Sequence, residues 1–199
     1  MNIGVLASHN GTTLQALIDA CEAGRLSATL ALVISNNSQS GALRRAQRHA
    51  LPHCHLSAKQ HPDEGALDHA IGNALERHGV ELIVLAGYMK KLGPHTLKRF
   101  EGRILNTHPS LLPKFGGQGM YGNRVHAAVL AADEAITGVS IHLVDADYDT
   151  GPVLAQCEIP VQPGDTVESL AHRVQAQERA FLVETLQGII DQRIVLPTL

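Results

Sequence analysis

Tryptophan is absent from this chain of 199 residues, and Phe and Tyr contribute three residues each. With so few aromatics, Leu, Ile, Val and Ala must fill the core. Cysteine is also scarce. Cys21, Cys54 and Cys157 are odd in number, far apart and without a C-x-x-C pair. That pattern argues against a disulfide framework or a cysteine zinc site, and it points to a reducing, cytoplasmic setting. No apolar run approaches the roughly 18 residues of a membrane span. The opening M-N-I-G-V-L is apolar but short and has no basic lead, so it reads as a first strand rather than a signal peptide. A positive balance is missing too. Lys and Arg total 16 against 19 Asp and Glu, giving −3 with neutral histidine, so a general nucleic-acid binder is not expected. Internal repeats, low-complexity tracts and long linkers are lacking.

What remains is an ordinary globular balance, 44% hydrophobic and 18% charged. A chain of this length suits one domain and buries about 70% of its unfolded surface. Twelve histidines raise the question of a metal. However, His49, His53, His55, His61, His69 and His78 are scattered without an H-x-x-x-H on a clear helix, and they read as surface residues. No metal is expected.

Apolar runs at 3–7, 28–34, 52–56 and 81–86 read as buried strands, and helical periodicity follows at 14–23, 41–49, 63–78 and 93–100. This alternation implies an α/β fold, a mostly parallel twisted sheet with right-handed crossovers. Residues 138–144 and 153–159 read as an antiparallel pair in the C-terminal half. Helices are expected at 125–132 and 166–190. The basic face of 41–49 (Arg44, Arg45, Arg48) is expected to be solvated.

One stretch organises the rest: R-I-L-N-T-H-P-S-L-L-P-K-F-G-G at 103–117. Ile104 and Leu105 read as a strand, and Pro109 biases His108 away from helix. Asn106 and His108 are therefore expected just past a strand's carboxyl end, where open α/β sheets bind ligands. Their i, i+2 spacing points both side chains one way. An amide donor beside an imidazole suits chemistry at a carbonyl centre; by itself the motif also fits a polar loop. Gly11, Thr12 and Thr13 sit between strand and helix. Free N–H groups there suit a phosphate, though an ordinary N-cap fits as well. The glycines of 116–122 fit a loop that approaches a ligand or a plain surface loop. The acidic D-A-D-Y-D-T-G at 145–151 lacks the terminal Glu of a calcium loop.

Taken in order, several motifs carry a resemblance: Asn10-Gly11 followed by L-Q, A-G-Y-M at 86–89, N-T-H-P-S-L-L-P at 106–113, D-x-x-x-D-T-G-P at 145–152 and R-V-Q-A-Q-E at 173–178. Over nearly its whole length the chain resembles the phosphoribosylglycinamide formyltransferase family of folate-dependent formyltransferases. The resemblance implies a Rossmann-like formyltransferase fold of about seven strands with helices on both faces. It implies one domain over 1–199, with a phosphate-binding half (1–100) and a catalytic and folate-binding half (101–199). It also implies formyl transfer from the co-substrate 10-formyltetrahydrofolate to the amine of glycinamide ribonucleotide, in purine synthesis, by a monomer or homodimer without nucleic-acid or membrane partners.

The same resemblance implies the residue roles. Asn106 donates to the oxyanion, and His108 is the proton donor. Asp149 raises the pKa of His108 and relays protons through water. Gly11, Thr12 and Thr13 hold the substrate phosphate, and Gln175 and Glu178 hold its ribose. Met89, Lys90, Lys91 and Leu92 form the folate loop. Asp145, Ala146, Asp147, Tyr148 and Asp149 close the opposite wall, Asn106 also touches the folate, and Ser140 and His142 are candidate lining residues. Three departures from the family pattern stand out. Thr12-Thr13 replace a common Ser-Asn, Asp63 and Glu64 stand near a common folate-contacting arginine, and G-G-Q-G-M-Y-G at 116–122 is a variant loop. Two alternatives use the same centre: hydrolysis of 10-formyltetrahydrofolate, and transfer to another amine. The ribose-matching Gln175 and Glu178 argue against another acceptor. Such hydrolases carry an extra N-terminal domain, whereas this sequence opens on its first strand.

Overall fold

Seven strands share one sheet in this computed structural model, which describes residues 1–197; the side chain of Glu64 lies outside what is described. The strands are β1 (Asn2–Leu6), β2 (Thr29–Ser35), β3 (His53–His55), β4 (Leu82–Leu85), β5 (Ile104–His108), β6 (Ile136–Leu143) and β7 (Val153–Pro160). The helices are α1 (Thr12–Glu22), α2 (Gly41–Arg48), α3 (Glu64–Arg77), α4 (Pro94–Arg99), α5 (Asn123–Ala131) and α6 (Val167–Ile190). Sheet order is β3-β2-β1-β4-β5-β6-β7. The pairs from β3 to β5 are parallel, and β6 and β7 add antiparallel. The expected mostly parallel sheet with an antiparallel C-terminal half is therefore present.

Alternation along the central strands builds a core on each face of the sheet. Val5, Val84 and Leu105 pack with Leu14 and Leu17 of α1 and with Leu182 and Leu186 of α6. Their neighbours Leu6, Ile83, Leu85 and Ile104 face Ile71 and Leu75 of α3, with Phe100 beyond α4. Helices thus cover both faces, as parallel strands require. Asp68 of α3 ties this second layer together by accepting from the backbone N–H groups of His95 and Thr96 at the start of α4.

The strand order reverses between β1 and β4, so the loops leaving these strands diverge from a crevice at the carboxyl edge of the sheet. The first of those loops is Ala7–Gly11 and the second runs from Ala86 to Gly93. The end of β5 lies next to the second. Asn106 and His108 lie within β5, rather than past it as expected. The physical reason is β6. Parallel pairing with β4 ends at Asn106, but β6 pairs Asn106 with His142 and His108 with Ser140, which keeps the chain extended through the motif. Among the described residues no helix is long and apolar enough to cross a membrane.

Candidate active site

His108 is buried, and both of its ring nitrogens face acceptors. Nε2 lies 2.7 Å from the carbonyl oxygen of Phe115, and Nδ1 lies 3.4 Å from Oδ2 of Asp149. The Phe115 contact assigns a proton to Nε2 and leaves Nδ1 toward the carboxylate. Asp149 comes from the loop after β6 and adopts φ +58°, a left-handed conformation that Asp tolerates better than most residues. The next glycine anchors it: a Cβ on Gly151 would collide with the carbonyl oxygen of Leu143. From the glycine-rich loop, the Gly117 N–H donates to Asp149 Oδ2 at 3.0 Å.

His142 completes the cluster from β6. Its Nδ1 donates to the Leu143 carbonyl at 2.9 Å, so Nε2 of the neutral ring accepts, and Asn106 Nδ2 lies 3.0 Å away. This bond fixes which end of the Asn106 amide points inward. Asp149 Oδ1 is 3.5 Å from the same nitrogen. Asn106, His108, His142 and Asp149 thus form one connected group drawn from two strands and a loop.

Electrostatics refine one expectation. Burial pushes the His108 imidazole down. The Asp149 charge and the Phe115 carbonyl push it up, the His142 charge pushes it down again, and the net result lies below the ordinary value. Asp149 therefore acts in the expected direction, but desolvation of the charged form outweighs it. For Asp149 itself, burial would raise the carboxyl. The adjoining His142 ring, the His108 charge and the Gly117 N–H together outweigh burial and hold it below the usual carboxylate range.

The loop after β1 is a second element of the site. Gly11 is the N-cap of α1 at φ +69°, without a side-chain cap. A Cβ there would also stand 2.7 Å from the Cα of Ala42 in α2. Only glycine suits both constraints, and the first N–H groups of α1, around Thr12 and Thr13, stay open to a ligand. Arg44, Arg45 and Arg48 of α2 line a pocket of about 260 Å³ with Asn10, Thr12 and Gly41. Arg45 departs from the expected solvated face: it is half-buried, with Nε donating to the Asn10 carbonyl and Nη1 to Gln15 Oε1.

The loop after β4 carries Met89, Lys90, Lys91 and Leu92. Met89, Lys90 and Lys91 are exposed, whereas the Leu92 side chain is buried in the core, leaving only its backbone for a ligand. Ser8, buried at the end of β1, accepts from the Met89 N–H at 2.8 Å and donates to Asn36 Oδ1. Sequence reasoning missed this tie, although Ser8 directly follows the first strand. Across the crevice, Lys91 Nζ lies 3.8 Å from Asp147 Oδ1 and 5.6 Å from the centre of the Tyr148 ring, so the two expected folate walls meet. Asp145 shapes its own loop by accepting from the Asp147 N–H and the Thr150 hydroxyl, and Ala146 is exposed beside it.

Ser140 does not line the site. It is fully buried, donates to the Ser110 carbonyl and accepts from the Leu112 N–H and Gln156 Nε2. Its work is to hold the chain that follows the N-T-H-P motif. On α6, Gln175 is exposed and Glu178 half-buried. Burial pushes the Glu178 carboxyl up, against a Thr107 hydrogen bond and the Arg179 charge. Among the described residues no three His, Cys, Asp or Glu side chains gather as a metal site.

Comparison with known proteins places the chain in a family. A family model described as formyl transferase matches residues 1–186. The phosphoribosylglycinamide formyltransferase of Haemophilus influenzae is 41% identical over 98% of this chain and 89% of its own. The chloroplastic phosphoribosylglycinamide formyltransferase of Arabidopsis thaliana is 35% identical over 96% of this chain. The chain spans 66% of that plant protein's length and 62% of its Vigna unguiculata counterpart's. The crystal structure of glycinamide ribonucleotide transformylase 1 from Symbiobacterium toebii superposes with a TM-score of 0.91 at 37% identity, covering 99% of this chain and 91% of that one. Matched along nearly all its sequence and fold, the chain belongs to the formyl transferase family, alongside the phosphoribosylglycinamide formyltransferases.

Proposed function

We propose that this protein transfers the formyl group of 10-formyltetrahydrofolate to the amine of glycinamide ribonucleotide, a step of purine biosynthesis. The observation that carries this assignment is the connected group of Asn106, His108, His142 and Asp149 at the carboxyl edge of the sheet. The chemistry needs three things. Attack of the amine on the formyl carbon makes a tetrahedral oxyanion, which needs a donor. The amine nitrogen must lose a proton. The folate nitrogen must gain one to leave.

Asn106, turned by His142, supplies the donor through its amide N–H. His108 handles the proton. Burial keeps the ring neutral at rest, able to accept the proton from the attacking nitrogen, and Asp149 stabilises the imidazolium as it forms. The imidazolium then donates toward the oxyanion and the leaving nitrogen, with water bridging to Asp149. No net proton is released: the amine's proton ends on the folate nitrogen.

The phosphate sits at Gly11, Thr12 and Thr13, in the field of the α1 N-terminus and of Arg45. Gln175 and Glu178 meet the ribose. The folate lies between the Met89–Leu92 loop and the Asp145–Asp149 loop, held chiefly by backbone groups. The phosphate half (1–100) and the catalytic and folate half (101–199) thus join along β4 and β5. The free thiols of Cys21, Cys54 and Cys157 accord with work in a reducing cytoplasm.

One assay tests the assignment. The protein is mixed with 10-formyltetrahydrofolate, with and without glycinamide ribonucleotide. Folate turnover that depends on the amine is expected. Equal turnover without the amine would make the protein a hydrolase, and no turnover in either mixture would overturn the assignment.

A further inference from the structure

Side chains alternate across the sheet along β5, and the alternation runs through the N-T-H triplet. Asn106 and His108 meet His142 and Asp149. Leu105 packs into the layer built by Leu182 and Leu186 of α6. Thr107, two residues further, turns to the same helix, and its Oγ1 donates to Glu178 Oε1 at 2.7 Å. Both residues are half-buried. One strand end therefore holds the acid–base group on one side and touches the helix-borne carboxylate on the other.

A glutamate has three side-chain torsions to fix before it can hold a ligand, and a helix surface leaves several rotamers open. Here the hydroxyl of Thr107 selects one of them. A carboxylate is an acceptor with two oxygens. With Oε1 engaged by Thr107, Oε2 is left to accept from a ligand's hydroxyls. Hydrogen bonds to a charged acceptor are among the stronger ones, and pre-orientation removes part of the ordering cost on binding.

We infer that Thr107 is a positioning residue for sugar recognition. Its hydroxyl sets the Glu178 carboxylate to accept from the ribose hydroxyls of the ribonucleotide, and it ties that contact to the strand carrying Asn106 and His108. This rests on the ribose role given to Glu178 under the proposed function, and it adds the residue that determines how strictly the sugar is read.

Steady-state kinetics of the whole protein test it, using glycinamide ribonucleotide and its 2′-deoxy and 3′-deoxy analogues. Thr107→Val keeps the shape and removes the hydroxyl. The expected result is a KM for the ribonucleotide raised about tenfold, the scale for one hydrogen bond to a charged group. The turnover number and the folate KM stay near wild type, and preference for the ribonucleotide over the deoxy analogues narrows. Thr107→Ser restores both KM and preference. Thr107→Ala carries the same expectation as Thr107→Val if the valine variant folds poorly. An unchanged ribonucleotide KM, an unchanged preference, or a loss confined to turnover would overturn the inference. Wild-type protein that does not formylate the ribonucleotide at all would overturn the functional assignment first, before any variant is compared.

Discussion

The Nδ1 atom of His108 stands 3.4 Å from Oδ2 of Asp149, although 41 positions separate the two in the chain. β5 delivers the imidazole, and the loop between β6 and β7 delivers the carboxylate. Both are nearly withdrawn from solvent. The pair therefore operates where a charge on either partner is felt strongly by the other.

Asn106 is the donor most directly exposed to loss. Replacing it with alanine removes the amide proposed to meet the oxyanion and leaves His142 Nε2 without its donor. Asn106→Ala should lower turnover on the order of 10²–10³. Stopped-flow measurement of folate turnover checks this. Full activity in the variant would remove Asn106 from the mechanism.

The loop between β1 and α1, proposed to hold the phosphate, makes a structural prediction. Gly11→Ala forces a Cβ into a left-handed conformation and against the backbone of Ala42. The left-handed conformation alone costs about 1–2 kcal/mol, so the melting temperature should fall. The ribonucleotide KM should rise while the folate KM holds. Arg45→Gln keeps the fold but weakens the hold on the Asn10 carbonyl, and it should raise the same KM. Phosphate competition against the ribonucleotide separates the two effects.

Acid should destabilise the fold in two stages. His108 and His126 are both held below the ordinary 6.5, chiefly by burial. As pH falls through 6.5 the unfolded chain takes up protons first, so stability declines from there toward the folded values. Asp149 is held below 3.8, so its contribution is present above that value and is lost as pH falls through its folded value. Glu178, raised above 4.5 by burial, runs oppositely: its contribution is present below 4.5 and is lost as pH rises through its folded value. Thermal melts across this range should show the first decline flattened in a His108→Gln, His126→Gln double variant. An unflattened decline would assign the acid sensitivity elsewhere.

The motif around Asn106 and His108 was legible because the chemistry and the local geometry lie within three residues. The parallel half of the sheet was legible for a similar reason, since β4 announces itself as L-I-V-L. What escaped depended on partners far away in the chain. Nothing local says that β6 extends β5 by pairing His142 with Asn106. Nothing local says that Arg45, on a polar helix face, reaches back to Asn10, or that Ser8 holds the loop of Met89. Asp149 raises the His108 pKa as expected, but the depth of burial that outweighs it is invisible without the packing of β5 between β4 and β6. Ser140, in register with His108, reads as lining from the sequence, but its hydroxyl is committed to Ser110 and Leu112.

Single-turnover formyl transfer in wild type, His108→Gln, Asp149→Asn and the double variant tests most directly whether imidazole and carboxylate act as one unit. Each single change should slow transfer on the order of 10²–10⁴, the range of a lost general acid–base contribution. The double variant should be no slower than the worse single, as expected of groups that fail together. Losses that multiply in the double variant would mean that the two residues act separately, and that would contradict the account.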